Sequence, residues 1–274
     1  MRSGGAPPTD RAVSAARLML CLDYDGTLVP IAPHPAAATL DEQTRRLLRQ
    51  LARARGVRVV LISGRSVRDL KRMVGIRDLG YVGNHGLECS APGLRYVHPE
   101  ARRSRPRLQR LARELRSALR PIRGAYVEDK GLTVSLHWRR VSASAARRFH
   151  RVVAERLRPF VARGAIRVTS GKRVIEIRPP VDWGKGDAVV WFLRHLPARR
   201  ARPLALYAGD DRTDEDAFQA VNRLGGVTVL VGGPARRSAA RYRLKDSRAV
   251  CAWLEGLPRW LTGQRPLRFG SLQA

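Results

Sequence analysis

The sequence predicts an α/β protein: a doubly wound, mostly parallel sheet with a second, smaller α/β domain inserted into it. Two observations predict the sheet. Short, mainly apolar runs alternate with stretches whose apolar residues recur at helical spacing, and polar clusters follow several of these runs. A third predicts the insertion, because the strands within residues 91–181 alternate apolar with polar, the pattern of a sheet packed on one face only.

Taken in order, residues 1–15 are rich in Gly, Pro and Ser and read as a loose tail. The core then runs over 16–90 and resumes over 182–260. Its first strand is the apolar run 18–22, followed by a helix marked by Leu40, Thr44, Leu47, Leu48 and Leu51 and stopped at Gly56. Residues 57–62 form the next strand. After the insertion come a helix over 183–196, a strand over 204–208, a helix over 213–222 and a strand over 227–231. Within the inserted domain, every even position of 132–139 is apolar and every odd one polar, so one face packs and the other is wet. Helical stretches near 107–119 and 144–156 cover the apolar face, leaving the polar face free to look at the core's active site. Residues 261–274 read as a basic tail.

Composition narrows the class. The chain has 274 residues, 44% of them hydrophobic and 28% charged, as in an ordinary globular protein. Its formal charge of +30 raises the question of a nucleic-acid or anionic-membrane binder. Only five of the 53 basic residues are lysines, however, and the arginines are spread over every part of the chain. That is a compositional bias and not a patch on one element, and no zinc finger, RNA-recognition signature or basic zipper accompanies it. The expectation is no nucleic-acid partner and no membrane partner, with the excess potential serving at most to steer an anionic substrate. The cysteines, Cys21, Cys89 and Cys251, give neither a disulfide framework nor a zinc-ligand pair. A reducing cytoplasm is the simpler inference, residues 18–22 are too short for a signal peptide's apolar region, and the chain is expected to be a monomer.

The chemistry begins at Asp23-Tyr24-Asp25-Gly26-Thr27, where a buried strand ends. Positions two apart on an extended segment point the same way, so Asp23 and Asp25 can flank one reacting group as nucleophile and acid/base. An Asx turn closing the loop would use the same residues. Ser63-Gly64-Arg65 follows the second strand and Gly209-Asp210-Asp211 the strand at 204–208, and in a parallel sheet those carboxyl ends share one edge. Gly184-Lys185-Gly186 adds a cation whose flanking glycines allow close approach to a phosphate or carboxylate; a solvated helix start is the plainer reading of the same residues. Several carboxylates without His or Cys suit Mg²⁺ over zinc, and there is no Walker loop for nucleotide triphosphates.

These four pieces, in this order, resemble the haloacid dehalogenase (HAD) superfamily of phosphatases, whose core is Rossmann-like. The resemblance implies that Asp23 attacks phosphorus and that Asp25 protonates the leaving oxygen and then activates water. It implies that Ser63 holds a phosphoryl oxygen and that Lys185 offsets charge between Asp23 and the phosphate. Mg²⁺ would be held by Asp23, Asp210 and the backbone carbonyl of Asp25, with Asp211 and Asp214 as outer supports. A finer set, Gly83-Asn84-His85-Gly86, 127–132 with Glu128 and Lys130, His137-Trp138-Arg139, 174–179 with Glu176, and 209–215, is similar to the trehalose-6-phosphate phosphatases. That similarity implies a mobile cap over a sugar phosphate, a small-molecule substrate.

Side-chain parity agrees with a sugar reader. Glu128 and Lys130 share one strand face, His137 and Arg139 another, and Lys172 and Glu176 a third. Glu128, Lys130 and Glu176 are expected to bind the sugar with Arg139 assisting, while Asn84, His85 and Gly86 line the core side. An ion-paired cap surface would look alike in sequence. A phosphatase of another sugar phosphate, of the sucrose or glucosylglycerol type, shares the four core motifs. A basic nucleic-acid-binding protein on such a core is the more distant alternative.

Overall fold

The computed structural model describes residues 17–32, 37–171, 173–195, 203–233, 237–261 and 270–271, with 259–261 and 270–271 described by backbone alone. The expected N-terminal tail, Lys172 and most of the expected basic C-terminal tail lie outside the described residues.

The chain divides into two compact units. One consists of Met1–Arg95 and Trp183–Ala274, the other of Tyr96–Asp182. In chain order the elements are β1 (Leu18–Asp23), α1 (Glu42–Arg53), β2 (Val57–Ile62), α2 (Val67–Val74), β3 (Gly80–Gly83), β4 (Glu88–Ala91) and β5 (Leu94–Val97). Then follow α3 (Pro99–Leu119), β6 (Tyr126–Asp129), β7 (Val134–His137), α4 (Ala143–Ala162), β8 (Arg167–Gly171) and β9 (Val174–Arg178). The chain closes with α5 (Lys185–His195), β10 (Leu204–Gly209), α6 (Glu215–Arg223), β11 (Val227–Val231), β12 (Tyr242–Leu244), α7 (Ser247–Leu261) and β13 (Gly270–Ser271).

The large sheet has the order β13-β12-β11-β10-β1-β2-β3-β4-β5. From β12 to β3 every neighbouring pair is parallel. β4 and β13 pair antiparallel. Parallel strands covered on both faces are mostly apolar, and β1 and β11 are buried throughout, with Thr228 of β11 giving its hydroxyl to Asn222. One face, with Leu18, Leu20 and Leu22, packs on α1, α2 and α7 through residues such as Leu48, Leu70 and Leu254. The alternate positions serve the other face, where Tyr207 of β10 meets Phe218 of α6 edge-on, with centroids 5.6 Å apart. This is a doubly wound α/β core, as predicted. The strand order reverses direction between β1 and β10, so the carboxyl ends of these two strands border the crevice where such sheets bind ligands.

The smaller unit carries the antiparallel sheet β6-β7-β9-β8. Val127, Val134, Leu136, Ile175 and Ile177 point from it into a core shared with α3 and α4. Three expectations change here. The alternating stretch 132–139 gives only the four-residue β7, because Lys130 N–H donating to the Thr133 carbonyl turns the chain before it and a turn at 139–140 follows. Arg139 therefore lies past the strand end and does not share the pleat of His137. Thr133 and Ser135, expected on a wet face, are buried. Ser135 stands between Glu128 and Glu176 on the neighbouring strands, whose longer side chains overshadow its hydroxyl. Both helices also outrun their expected bounds, passing through Pro106 and Pro159. α3 starts early because Pro99 sits at its first turn, where a missing N–H goes unnoticed.

Local caps set the ends of the core helices. Asp41 accepts from the Thr44 N–H at 2.8 Å and from the Thr44 hydroxyl at 2.7 Å, starting α1. Gly75, with φ 69°, closes α2 in the left-handed conformation. Asp41→Ala is expected to lower unfolding stability by about 1 kcal/mol. Urea titration should show a lower midpoint with unchanged slope.

Candidate active site

Asp23 is the last residue of β1 and Asp210 the first after β10, so the two strands at the reversal point deliver carboxylates side by side. Asp214 joins them from the single 3₁₀ turn Arg212–Asp214. One carboxylate oxygen from each of Asp23, Asp210 and Asp214 lies within 4.8 Å of the others. Gly26 makes this approach possible. Its φ of 93° turns the chain after Asp25, and a Cβ there would stand 2.2 Å from Asp210 Oδ2.

Lys185, the first residue of α5, is buried to 3% exposure and donates to Asp23 Oδ1 at 2.6 Å and to Asp214 Oδ1 at 2.7 Å. Asp214 is fully buried. Its Oδ1 also accepts from the Tyr207 hydroxyl at 2.6 Å, and its Oδ2 accepts from the Asp211 N–H at 2.9 Å. Both oxygens of Asp214 are thus committed to protein donors, which makes it an anchor for Lys185. The glycines beside Lys185 have a different reason from a ligand's approach. A Cβ on Gly184 would stand 2.0 Å from Asp216 Oδ2, and that carboxylate accepts from the Gly186 N–H at 3.1 Å. They let α5 sit against the start of α6.

The electrostatics follow from crowding. Burial pushes the Asp23 carboxyl well above its ordinary range; Lys185 pulls it down, while Asp214 and Asp210 push it up again. Asp210 is pushed up to about 7, by burial first and then by Asp214, against the pull of Lys185. Burial alone would lower the Lys185 ammonium, but the two carboxylates it touches outweigh burial and raise it, so it stays charged. Burial and the neighbouring Asp214 likewise raise the Tyr207 phenol, which stays a donor.

Asp25, two residues after Asp23, is one-third exposed, at 35% for its side chain. Tyr24 between them turns into the core and donates to the Ala38 carbonyl at 2.9 Å. Both oxygens of Asp25 are taken by Arg65, whose Nε donates at 2.7 Å and Nη2 at 2.6 Å. Ser63, at 1% exposure, sits at the tip of β2 and donates to Asp25 Oδ2 at 3.4 Å. Asp211 is exposed and caps the turn by accepting from the Arg212 N–H at 2.6 Å. Asn84 is fully buried and gives its amide to Glu88 at 2.7 Å, while the Gly86 carbonyl accepts from the Trp183 indole at 2.8 Å. His85, between them, has a left-handed φ of 57°.

In the smaller unit Lys130 meets Glu176 at 3.2 Å and His137 meets Glu128 at 2.8 Å, with Ser135 donating to Glu176 at 3.4 Å. Arg139 is exposed in its turn. Arg65 and Thr27 stand in the sequence motifs without a task that spacing reveals, and Tyr207 stands in none; the Thr27 hydroxyl donates to Asp210 Oδ1 at 3.3 Å. A tyrosine inside the otherwise apolar β10 was the available signal, since a buried phenol needs an acceptor.

The sequence profile of the family described as trehalose-phosphatase matches residues 21–248. The chain is 39% identical over 251 residues to a trehalose-phosphate phosphatase of Mycobacterium tuberculosis, an alignment covering 90% of this chain. The chain spans about 62% of the length of that curated relative. Its structure is similar to that of a trehalose-6-phosphate phosphatase related protein, with TM-score 0.75, 26% identity and coverage of 87% of this chain and 96% of the other. It is also similar to the C-terminal domain of the trehalose-6-phosphate phosphatase of C. albicans, with TM-score 0.75, 25% identity and coverage of 93% and 96%.

The raised Asp210 carboxyl gives a sign that can be measured. The folded protein holds that proton more tightly than an unfolded chain, where the value is 3.8, so this group lowers stability as pH climbs from about 4 to about 7. In chelator-treated protein, Asp210→Asn is expected to melt several degrees above the parent at pH 8, with the gap closing towards pH 4. A variant melting at or below the parent at pH 8 would show that the carboxylates do not strain the fold.

Proposed function

The chain belongs to the trehalose-phosphatase family, and on that premise we propose that it hydrolyses trehalose 6-phosphate to trehalose and inorganic phosphate. The observation that carries the reading is the meeting of Asp23, Asp210 and Asp214 by the tips of β1 and β10, with the Lys185 ammonium held by Asp23 and Asp214. A carboxylate nucleophile has to approach a phosphate dianion to about 3 Å, and inside a pocket that repulsion is little screened by water. Lys185 supplies a fixed positive charge on the nucleophile itself and holds its orientation through Oδ1.

Asp23 forms a bond to phosphorus as the ester P–O bond breaks, and the departing sugar oxygen takes a proton from Asp25. Water then attacks the aspartyl phosphate, gives a proton to Asp25 and releases phosphate, restoring Asp23. In both steps at least one oxygen of Asp25 has to be freed from Arg65. Ser63, at the neighbouring strand tip, is assigned to a phosphoryl oxygen. Asp23, Asp210 and the Asp25 carbonyl are the residues that would hold Mg²⁺, with Asp211 and Asp214 as outer supports. The donor set fits, being hard oxygen ligands whose crowding leaves the site short of positive charge. When bound, the ion neutralises charge on the transferring phosphoryl group.

Glu128, Lys130 and Glu176 are assigned to the sugar hydroxyls with Arg139 assisting, and Asn84, His85 and Gly86 to the core side of the substrate. The reading carries with it a cytoplasmic monomer without nucleic-acid or membrane partners. Burial holds the Cys21 and Cys89 thiols well above their ordinary range, as suits unpaired cysteines in a reducing compartment. No helix among the described residues is long and apolar enough to cross a membrane.

Two experiments test this. Phosphate release from trehalose 6-phosphate, sucrose 6-phosphate and glucosylglycerol phosphate, with and without Mg²⁺, should favour the first and need the ion; Asp23→Asn should lose at least a thousandfold in kcat. An Asn variant that keeps its activity removes covalent catalysis at Asp23, and preference for another ester removes the substrate. Glu128→Ala and Glu176→Ala should each lower kcat/KM for the disaccharide ester about ten- to hundredfold while leaving a small aryl phosphate nearly untouched. Equal losses on both esters would take the sugar away from these residues.

A further inference from the structure

The antiparallel register of the smaller sheet sorts its polar face into rows. Residues directly opposite one another project to the same side, so Tyr126, His137 and Val174 form one row across β6, β7 and β9. Glu128, Ser135 and Glu176 form the next. A row of acids and a hydroxyl therefore lies beside a row that opens with an aromatic ring.

That ring is exposed. Tyr126 is 50% accessible, the one aromatic among the exposed large apolar side chains of the described residues. It is also held in place: its ring stacks on the His137 imidazole, with centroids 5.7 Å apart and planes 30° from parallel. His137 is fixed in turn by Glu128 at 2.8 Å. A surface tyrosine braced this way presents a preoriented apolar surface with little rotamer freedom left to lose on binding.

A pyranose ring has the same two-sided chemistry, with axial C–H groups over one face and hydroxyls around its rim. We propose that Tyr126 is a specificity-determining residue for the sugar, its ring packing against the C–H face of one glucose unit while the adjacent acidic row accepts rim hydroxyls. The inference deepens the proposed function and rests on it. It commits the recognition surface to a sugar ring, beyond the phosphoryl group that any small ester would offer. It also accounts for the Glu128–His137 contact, which braces the ring as well as placing the carboxylate.

The test compares Tyr126→Ala and Tyr126→Phe with the parent on trehalose 6-phosphate, with trehalose and inorganic phosphate as competitive inhibitors. Ala is expected to raise KM about tenfold with a smaller effect on kcat, and Phe, which keeps the ring, to stay within about twofold. Inhibition by trehalose should weaken by the same factor as KM in the Ala variant, and inhibition by phosphate should not move. Leu224→Ala, an exposed apolar residue of the other unit at 38%, serves as control and keeps the parent constants. Ala at the parent KM, or Phe as damaging as Ala, overturns the inference alone. A parent that cleaves a small aryl phosphate but not trehalose 6-phosphate overturns the proposed function and this inference with it.

Discussion

The rest of the site depends on one buried ammonium held between two carboxylates. Lys185 touches Asp23 and Asp214 at 2.6 and 2.7 Å, and Asp210 stands close enough to bring a third acid to the same place. With all three ionised and one lysine charged, the cluster is left with two uncompensated negative charges. Burying them without relief is expensive, so protons or a cation must make up the difference. The upward push on Asp23 and Asp210 is this shortage seen from the side of the protons. A site that attracts either a proton or a hard divalent ion, and that keeps one carboxylate oriented by a fixed cation, is prepared for anion chemistry before any substrate arrives.

The scaffold explains why these groups can meet at all. Strands β1 and β10 are neighbours although 180 residues separate their ends, from Asp23 to Leu204. The parallel order brings their carboxyl tips to the same edge, and the reversal of winding leaves a gap there that no crossover helix fills. The acids can stand close because glycine is placed where a side chain would intrude, as Gly26 does for Asp210. Stability in β1 comes from its apolar residues, while its last residue, Asp23, joins the carboxylate cluster. That division suits a strand end, where ladder bonds already secure the backbone.

Much of this was legible in the chain. The mainly apolar runs 18–22, 57–62 and 204–208 marked the strands because a doubly covered strand has few positions for a polar side chain, and the polar clusters after them marked the edge where the carboxylates meet. What escaped was whatever depends on side-chain partnership across the sequence. The Asp25–Arg65 fork and the Tyr207–Asp214 bond join residues on different strands or turns, and spacing carries no record of them. The wet face expected for 132–139 failed for a related reason: period-two alternation tells which way a side chain points but not how long its neighbours are. Ser135 is covered because glutamates flank it on both sides. The helices expected near 107–119 and 144–156 run on through Pro106 and Pro159, because packing on the apolar face of a long helix outweighs the one hydrogen bond that a proline forbids.

The lysines give the same lesson from composition. Arginine fills nearly every cationic position in this chain, and on the helices it makes exposed pairs such as Arg72–Asp69 and Arg103–Glu100, which contribute little in water. Two of the five lysines stand where the geometry differs. Lys185 fits between two carboxylates in a buried space, and Lys130 reaches Glu176 with both side chains about 90% covered. A compact ammonium can serve acceptors in several directions at once, whereas a guanidinium is a flat fork that matches one carboxylate edge at a time. Arg65 on Asp25 is that fork in use. In a sequence so biased towards arginine, a lysine between acids is a physical statement about the shape of the space it occupies.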